Sequence, residues 1–240
     1  MVEFLLSHYS LFTHILEFLA AFTGFLFYKK YKNTPVKYFI WFLLVVAICD
    51  FLGIYAYQVR PDGALSFLIG TKIQKNIWWS TLYWSVGAIL FYAFYFFKIL
   101  KNSLFKKATK VLAIVFFVFS IFYIGFYWEN FFNQFFKLIK LLGAIIIFIC
   151  TIFYFIETLT GDKILVFYKS INFYISATIF IWWLVITPLT FYDIYYFYEI
   201  GKAHYDQNFA MIRKQIYLFA NIFMYLTFTF ALIWCKPEND

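Results

Sequence analysis

Two carboxylates inside apolar runs are the residues of this chain whose type and spacing could do chemistry. Glu17 lies 11 residues before Tyr28, and Asp50 lies 12 residues after Tyr38. The segment between them is a short basic turn, Lys29-Lys30-Tyr31-Lys32-Asn33-Thr34-Pro35-Val36-Lys37. At about 1.5 Å per helical residue, each acid would lie roughly 17 Å from that turn, near the middle of a ~30 Å hydrocarbon layer. A carboxylate at that depth costs at least about 2.5–3.5 kcal/mol. No Lys or Arg is available at the same depth to pair with it. The acids must therefore be neutralised by protonation, by His14, or by a cation. Each of these routes implies proton or ion coupling, or a ligand amine. The other reading is a neutral acid bonding a hydroxyl, amide or phenol as glue between helices.

The elements that would position these groups are membrane helices. Hydrophobic residues make up 65% of the 240 and charged residues 13%, against about 45–50% and about 25% in ordinary soluble domains. That much apolar surface cannot be hidden inside a soluble domain of this size. The expected fold class is all-α: a polytopic membrane protein, one domain over residues 1–240. Seven spans are expected near 6–28, 38–57, 76–97, 109–128, 138–158, 171–192 and 213–235, each close to the ~20 residues a crossing needs. Twelve of the twenty Lys and Arg residues fall on the side holding the turns near residues 33, 104 and 163. The positive-inside rule then puts the N-terminus outside and the C-terminus in the cytoplasm. The net charge of +8 is read as this orientation signal and as contact with anionic headgroups, not as a nucleic-acid surface.

Ser10, His14, Glu17, Ala21, Gly24 and Tyr28 recur at spacings of three and four and define one face of the first helix. Ala47 and Gly53 share a face with Asp50. Small residues on such faces let helix backbones approach. The expected intramembrane site therefore comprises Glu17, Asp50 and His14, joined by Ser85 and Asn221 at similar depth, and it takes a small ligand or a cation. The five lysines from Lys98 to Lys110 form a basic turn. Lys101, Lys106, Lys107 and Lys110 are its docking residues for an acidic cytoplasmic or membrane signalling partner. Most tryptophans sit near predicted span ends and read as anchors at the membrane interface. Pro188 is expected to kink or end the sixth helix. Arg60-Pro61-Asp62-Gly63 is a turn signal, and residues 193–215, with Asp193, Glu199, His204 and Asp206, form an outer segment.

Several chemistries are argued down. The last span has no lysine for retinal. His8, His14 and His204 are dispersed, so His14, Glu17 and Asp50 could make only a minimal metal set, and no metal is assigned. There is no GxSxG, P-loop or GxGxxG, and no catalytic residue or cofactor is assigned. The three cysteines Cys49, Cys150 and Cys235 are read as packed thiols.

Glu17-Phe18-Leu19-Ala20-Ala21-Phe22-Thr23-Gly24 with the following Tyr/Lys turn, Tyr154-Phe155-Ile156-Glu157-Thr158-Leu159, and Phe173-Tyr174-Ile175 carry a resemblance. The chain resembles small seven-helix membrane proteins of Bacteroidota, similar to stand-alone versions of seven-helix sensor modules found next to histidine kinases. It departs from that pattern where Phe173-Tyr174 stands in place of a Phe-Trp pair. The resemblance implies a sensory or accessory role, with a partner supplying the output, and it transfers no catalytic residue. A small proton- or cation-coupled transporter or channel using the same carboxylates is the alternative. An intramembrane enzyme comes third.

Overall fold

The computed structural model describes residues 6–161, 167–195 and 205–237. Glu199, Lys202 and His204 of the expected outer segment, and Asp162 and Lys163 of an inner turn, lie outside them. Among the described residues there is no strand, only an isolated parallel bridge between Ser170 and Lys236. Seven helices are long and apolar enough to cross a membrane, the make-up of a multi-pass integral membrane protein. They are α1 (Tyr9–Leu26), α2 (Val36–Gly53), α3 (Ile77–Ile99), α4 (Ser103–Phe126), α5 (Lys137–Thr160), α6 (Ile171–Tyr195) and α7 (Gln207–Trp234). Their outward faces are apolar, with Phe22, Phe25, Val115, Phe122 and Leu184 among the exposed residues, as a lipid environment requires.

Polar caps set helix ends that hydropathy does not mark. The fourth helix begins at Ser103, six residues before the expected start, because Asn102 Oδ1 accepts from the backbone N–H groups of Leu104 and Phe105 at 2.8 and 3.3 Å. That satisfies two otherwise orphaned donors. Lysines 106, 107 and 110 are therefore helical. The last helix likewise begins at Gln207 and not at 213, since Asp206 Oδ1 accepts from Phe209 N at 3.0 Å. Pro35 directly precedes α2, and its fixed φ suits a helix entrance. Pro188 does not end α6, which continues to Tyr195. Arg60-Pro61-Asp62-Gly63 closes as the expected turn, with Gly63 N donating to Arg60 O at 2.9 Å.

The chain forms two compact units, Met1–Leu43 with Thr151–Asp240, and Leu44–Cys150. In the first, α7 packs against both α1 and α6. Gly24 brings α1 close to α2, where a Cβ would stand 3.1 Å from Ile40 Cγ2. At one end of this unit, the turn after α1 closes the C-terminus of α7. Tyr31 shares its hydroxyl proton between Leu232 O at 3.1 Å and Cys235 O at 2.9 Å. Lys30 Nζ donates to Leu232 O and Ile233 O at 3.3 and 2.9 Å. These last-turn carbonyls have no partner within their own helix, and a cation there also suits the helix dipole. Partial burial lowers the Lys30 pKa, opposed in part by Cys235. Burial, reinforced by Cys235, raises that of Tyr31, which keeps the phenol a donor.

In the second unit, α3 packs against α4, and α5 meets α3 at Gly143. A Cβ at that position would lie 2.8 Å from Ile89 Cγ1 and 3.0 Å from Ile89 Cδ1, and Ile89 is fully buried. Gly143→Ala is accordingly expected to destabilise the protein by about 1–3 kcal/mol through overpacking. Denaturant unfolding of the purified protein followed by tryptophan fluorescence checks this. An unchanged midpoint would mean that α5 is not seated there.

Candidate functional site

Glu17 is the deepest of the candidate groups. It stands at the middle of α1, roughly 12–13 Å from either end at about 1.5 Å per residue, and is 1% exposed. It shares the buried face of α1 with Ala20, Ala21 and Gly24, the face that the i, i+3, i+4 pattern marks. His14, three residues before it, is half-buried. Its Nδ1 turns back along α1 to the carbonyl oxygen and hydroxyl of Ser10. Thr13, one turn before Glu17, has a buried hydroxyl without a hydrogen-bond partner among the described residues. Asn221 of α7 belongs to the same unit. Its Oδ1 accepts from Trp182 Nε1 of α6 at 2.9 Å, with both side chains buried. Trp182 and Trp183 are therefore interior residues and not interface anchors, which corrects the positional reading of these two. Trp182 is inside because its indole N–H needs an acceptor and Asn221 supplies one.

Asp50 and Ser85 belong to the second unit. The Asp50 carboxylate accepts from the hydroxyl of Tyr83 on α3. The neighbouring contacts knit the same stretch of α2 to α3. Trp79 Nε1 donates to Cys49 O at 2.8 Å, Asn76 Nδ2 to Gly53 O at 2.9 Å, and Trp78 Nε1 to Tyr55 OH at 3.1 Å. Tyr55 OH in turn reaches Ile73 O and Lys75 O. Tyr83 and Ser85 both lie in an unusual segment. Residues Thr81–Ala88 are π-helical, with i→i−5 hydrogen bonds, between α-helical turns at Ile77–Ser80 and Ile89–Ile99. Wide turns of this kind occur preferentially at functional positions. With about 4.4 residues per π turn, Ser85 and Thr81 lie on the side of the helix opposite Tyr83. Ser85 is buried, and Thr81 is buried with no hydrogen-bond partner for its hydroxyl among the described residues.

Tyr83 is the residue that sequence reasoning missed. An acid in an apolar helix needs a donor from a neighbouring helix, and Tyr83 is a phenol inside the next apolar run. That was the available signal, masked by the abundance of tyrosine, 21 in the chain. The four lysines expected to dock a partner also fall in the second unit. Lys101, Lys107 and Lys110 are exposed, while Lys106 is half-buried with its Nζ 6.0 Å from the centre of the Phe97 ring. Among the described residues, no group of three or more His, Cys, Asp or Glu side chains is placed to hold a metal ion. The set of His14, Glu17 and Asp50 does not form one.

A comparison with protein-family models, with curated proteins and with solved structures finds no match. The site must be interpreted from its own chemistry.

Proposed function

We propose that this chain is a seven-helix sensory or accessory protein of a bacterial cytoplasmic membrane. Its N-terminus lies outside and its C-terminal end lies in the cytoplasm. It responds to protons or to a small ligand at its intramembrane carboxylates, and it signals through a partner docked on Lys101, Lys106, Lys107 and Lys110. The observation that carries this reading is Glu17, a buried carboxylate at the middle of an apolar span. Ionisable groups are expensive there and are retained where they act. Asp50 supports the reading, since its bond to Tyr83 ties a titratable group to an irregular helix. The same buried Glu17 would serve a proton- or cation-coupled transporter or channel, and this keeps that reading as the alternative.

Flux through purified protein in liposomes separates the two. Proton, sodium and potassium movement is compared between the native chain and the double variant Glu17→Gln/Asp50→Asn, with the melting temperature of each recorded. The sensor reading expects no flux above protein-free vesicles in either, and a variant that still folds. Native flux that vanishes in the variant would make the protein a transporter. A variant that does not fold would make the carboxylates interhelical glue.

A further inference from the structure

We infer that α3 contains a register switch: the wide turns at Thr81–Ala88 are latched open by the Tyr83–Asp50 hydrogen bond and close to α-helix when that bond is released. The inference rests on the proposal that Asp50 is a responding group, and it supplies the movement by which Asp50 would act on the lysine-rich end of the helix.

No proline interrupts α3, so the width of this stretch has no local covalent cause of the usual kind. It is held from both sides. Towards the start of α3, Asn76 and Trp79 bind the backbone of α2. Beyond the stretch, Ile89 is seated against Gly143. A π segment accommodates more residues per turn than an α segment, so these two attachments enclose extra chain. Tyr83 ties α3 to α2 from within the wide turns.

The alternative state has its own stability, which a switch requires. The α-helix is the common form and the π turn a rare insertion in it. Thr81, at the start of the wide stretch, is already α-helical at its backbone, where its N–H donates to Ile77 O, so the change lies beyond it. The wide state holds Tyr83–Asp50 with i→i−5 backbone bonds, and the closed state exchanges those for i→i−4 bonds. Gly87 suits the wide state, because a Cβ there would stand 3.0 Å from Leu82 O. An alanine would push that carbonyl away and would also favour α-helix. Taking up one residue of register turns the following helix by about 100° and moves it by about 1.5 Å. That motion lifts Ile89 off Gly143 and swings the Lys98 end of α3, which leads directly into Lys101–Lys110.

The test replaces Phe94, exposed on α3 beyond the wide turns, with trifluoromethylphenylalanine. Its fluorine resonance is read in full-length protein in lipid nanodiscs. The native protein is expected to show one dominant resonance. Tyr83→Phe and Asp50→Leu, each of which removes one partner of the bond, should each add a second at a common chemical shift. Gly87→Ala on the otherwise native chain should raise the population at that shift by about fivefold, the ordinary alanine-over-glycine helix preference. A single unmoved resonance in folded Tyr83→Phe, or in Gly87→Ala if the former does not fold, overturns the switch. Should Asp50→Leu alter partner binding while Phe94 stays still, the switch fails and the sensor reading stands. Should Phe94 move while the liposome assay shows transport, the switch stands and the sensor reading fails.

Discussion

Replacing Arg213 with methionine is expected to lower the unfolding free energy by about 3–5 kcal/mol, the cost of leaving a buried charge without its partner. Arg213 of α7 meets Asp193 of α6 in a forked contact, Nε to Oδ1 at 3.0 Å and Nη2 to Oδ2 at 3.4 Å. The two side chains are only 17% and 7% exposed. The guanidinium also lies 4.7 Å from the centre of the Tyr217 ring, a cation–π contact that methionine would not retain. Removing the arginine therefore leaves the Asp193 carboxylate in a poorly solvated place with its best donor gone. The argument has a second half that makes it testable. The pair itself need not be stabilising, since desolvation consumes most of the attraction between the charges. The double variant Arg213→Met/Asp193→Leu should accordingly recover most of the loss. Urea or thermal unfolding in detergent micelles measures all three proteins. If the double variant is as unstable as the single one, packing at the ends of α6 and α7 and not the uncompensated charge sets the cost. Lys72 and Glu129 give the contrast. Their Nζ–Oε1 distance is shorter, 2.7 Å, but they are 55% and 75% exposed, and breaking that pair should cost no more than about 1 kcal/mol.

The same two residues show where sequence reading stops. Runs of apolar residues long enough to cross a bilayer are a one-dimensional property, so all seven helices could be read from composition along the chain. Helix ends are set by single polar side chains turned onto the backbone. Asn102 and Asp206 look like turn residues until their caps are seen, and so α4 and α7 begin six residues earlier than hydropathy indicates. Asp193 falls in the expected outer segment and Arg213 at the expected start of the last span, whereas the structure places Asp193 within α6 and Arg213 two turns into α7. Their pairing depends on the rotation of α6 against α7, which periodicity alone does not fix when nearly every position is apolar. The candidate site divides along the same line. The burial of Glu17, Ala21 and Gly24 followed from their spacing. The partners Tyr83 for Asp50 and Trp182 for Asn221 did not, because tyrosine and tryptophan are common enough here to look like interface anchors anywhere. The π-helical turns of α3 have no sequence mark of their own: Gly87 is compatible with them but does not demand them.

Removing the ring of Tyr31 is the second change expected to be severe. Tyr31 is 0% exposed, and it joins two functions that substitutions can separate. Its ring fills the space beside the end of α7, while its hydroxyl serves the carbonyls of Leu232 and Cys235. Tyr31→Ala should cost about 3–5 kcal/mol, the range for deleting a buried aromatic side chain. Tyr31→Phe keeps the ring and removes only the donor. The smaller loss expected, about 1–3 kcal/mol, is that of stranding buried carbonyls. Lys30 moderates this figure, because its ammonium already donates to Leu232 O and Ile233 O. Cys235 O depends more on the phenol, so the effect of Tyr31→Phe should concentrate at the C-terminal end of α7. Amide hydrogen exchange resolves that prediction. Faster exchange confined to the last turn of α7 and to Lys236, whose N–H donates to Lys169 O at 3.3 Å, is the expected result. Uniform acceleration across α1, α6 and α7 would mean that the hydroxyl stabilises the whole unit. No acceleration, with the melting temperature unchanged, would mean that Lys30 alone is enough to close the helix.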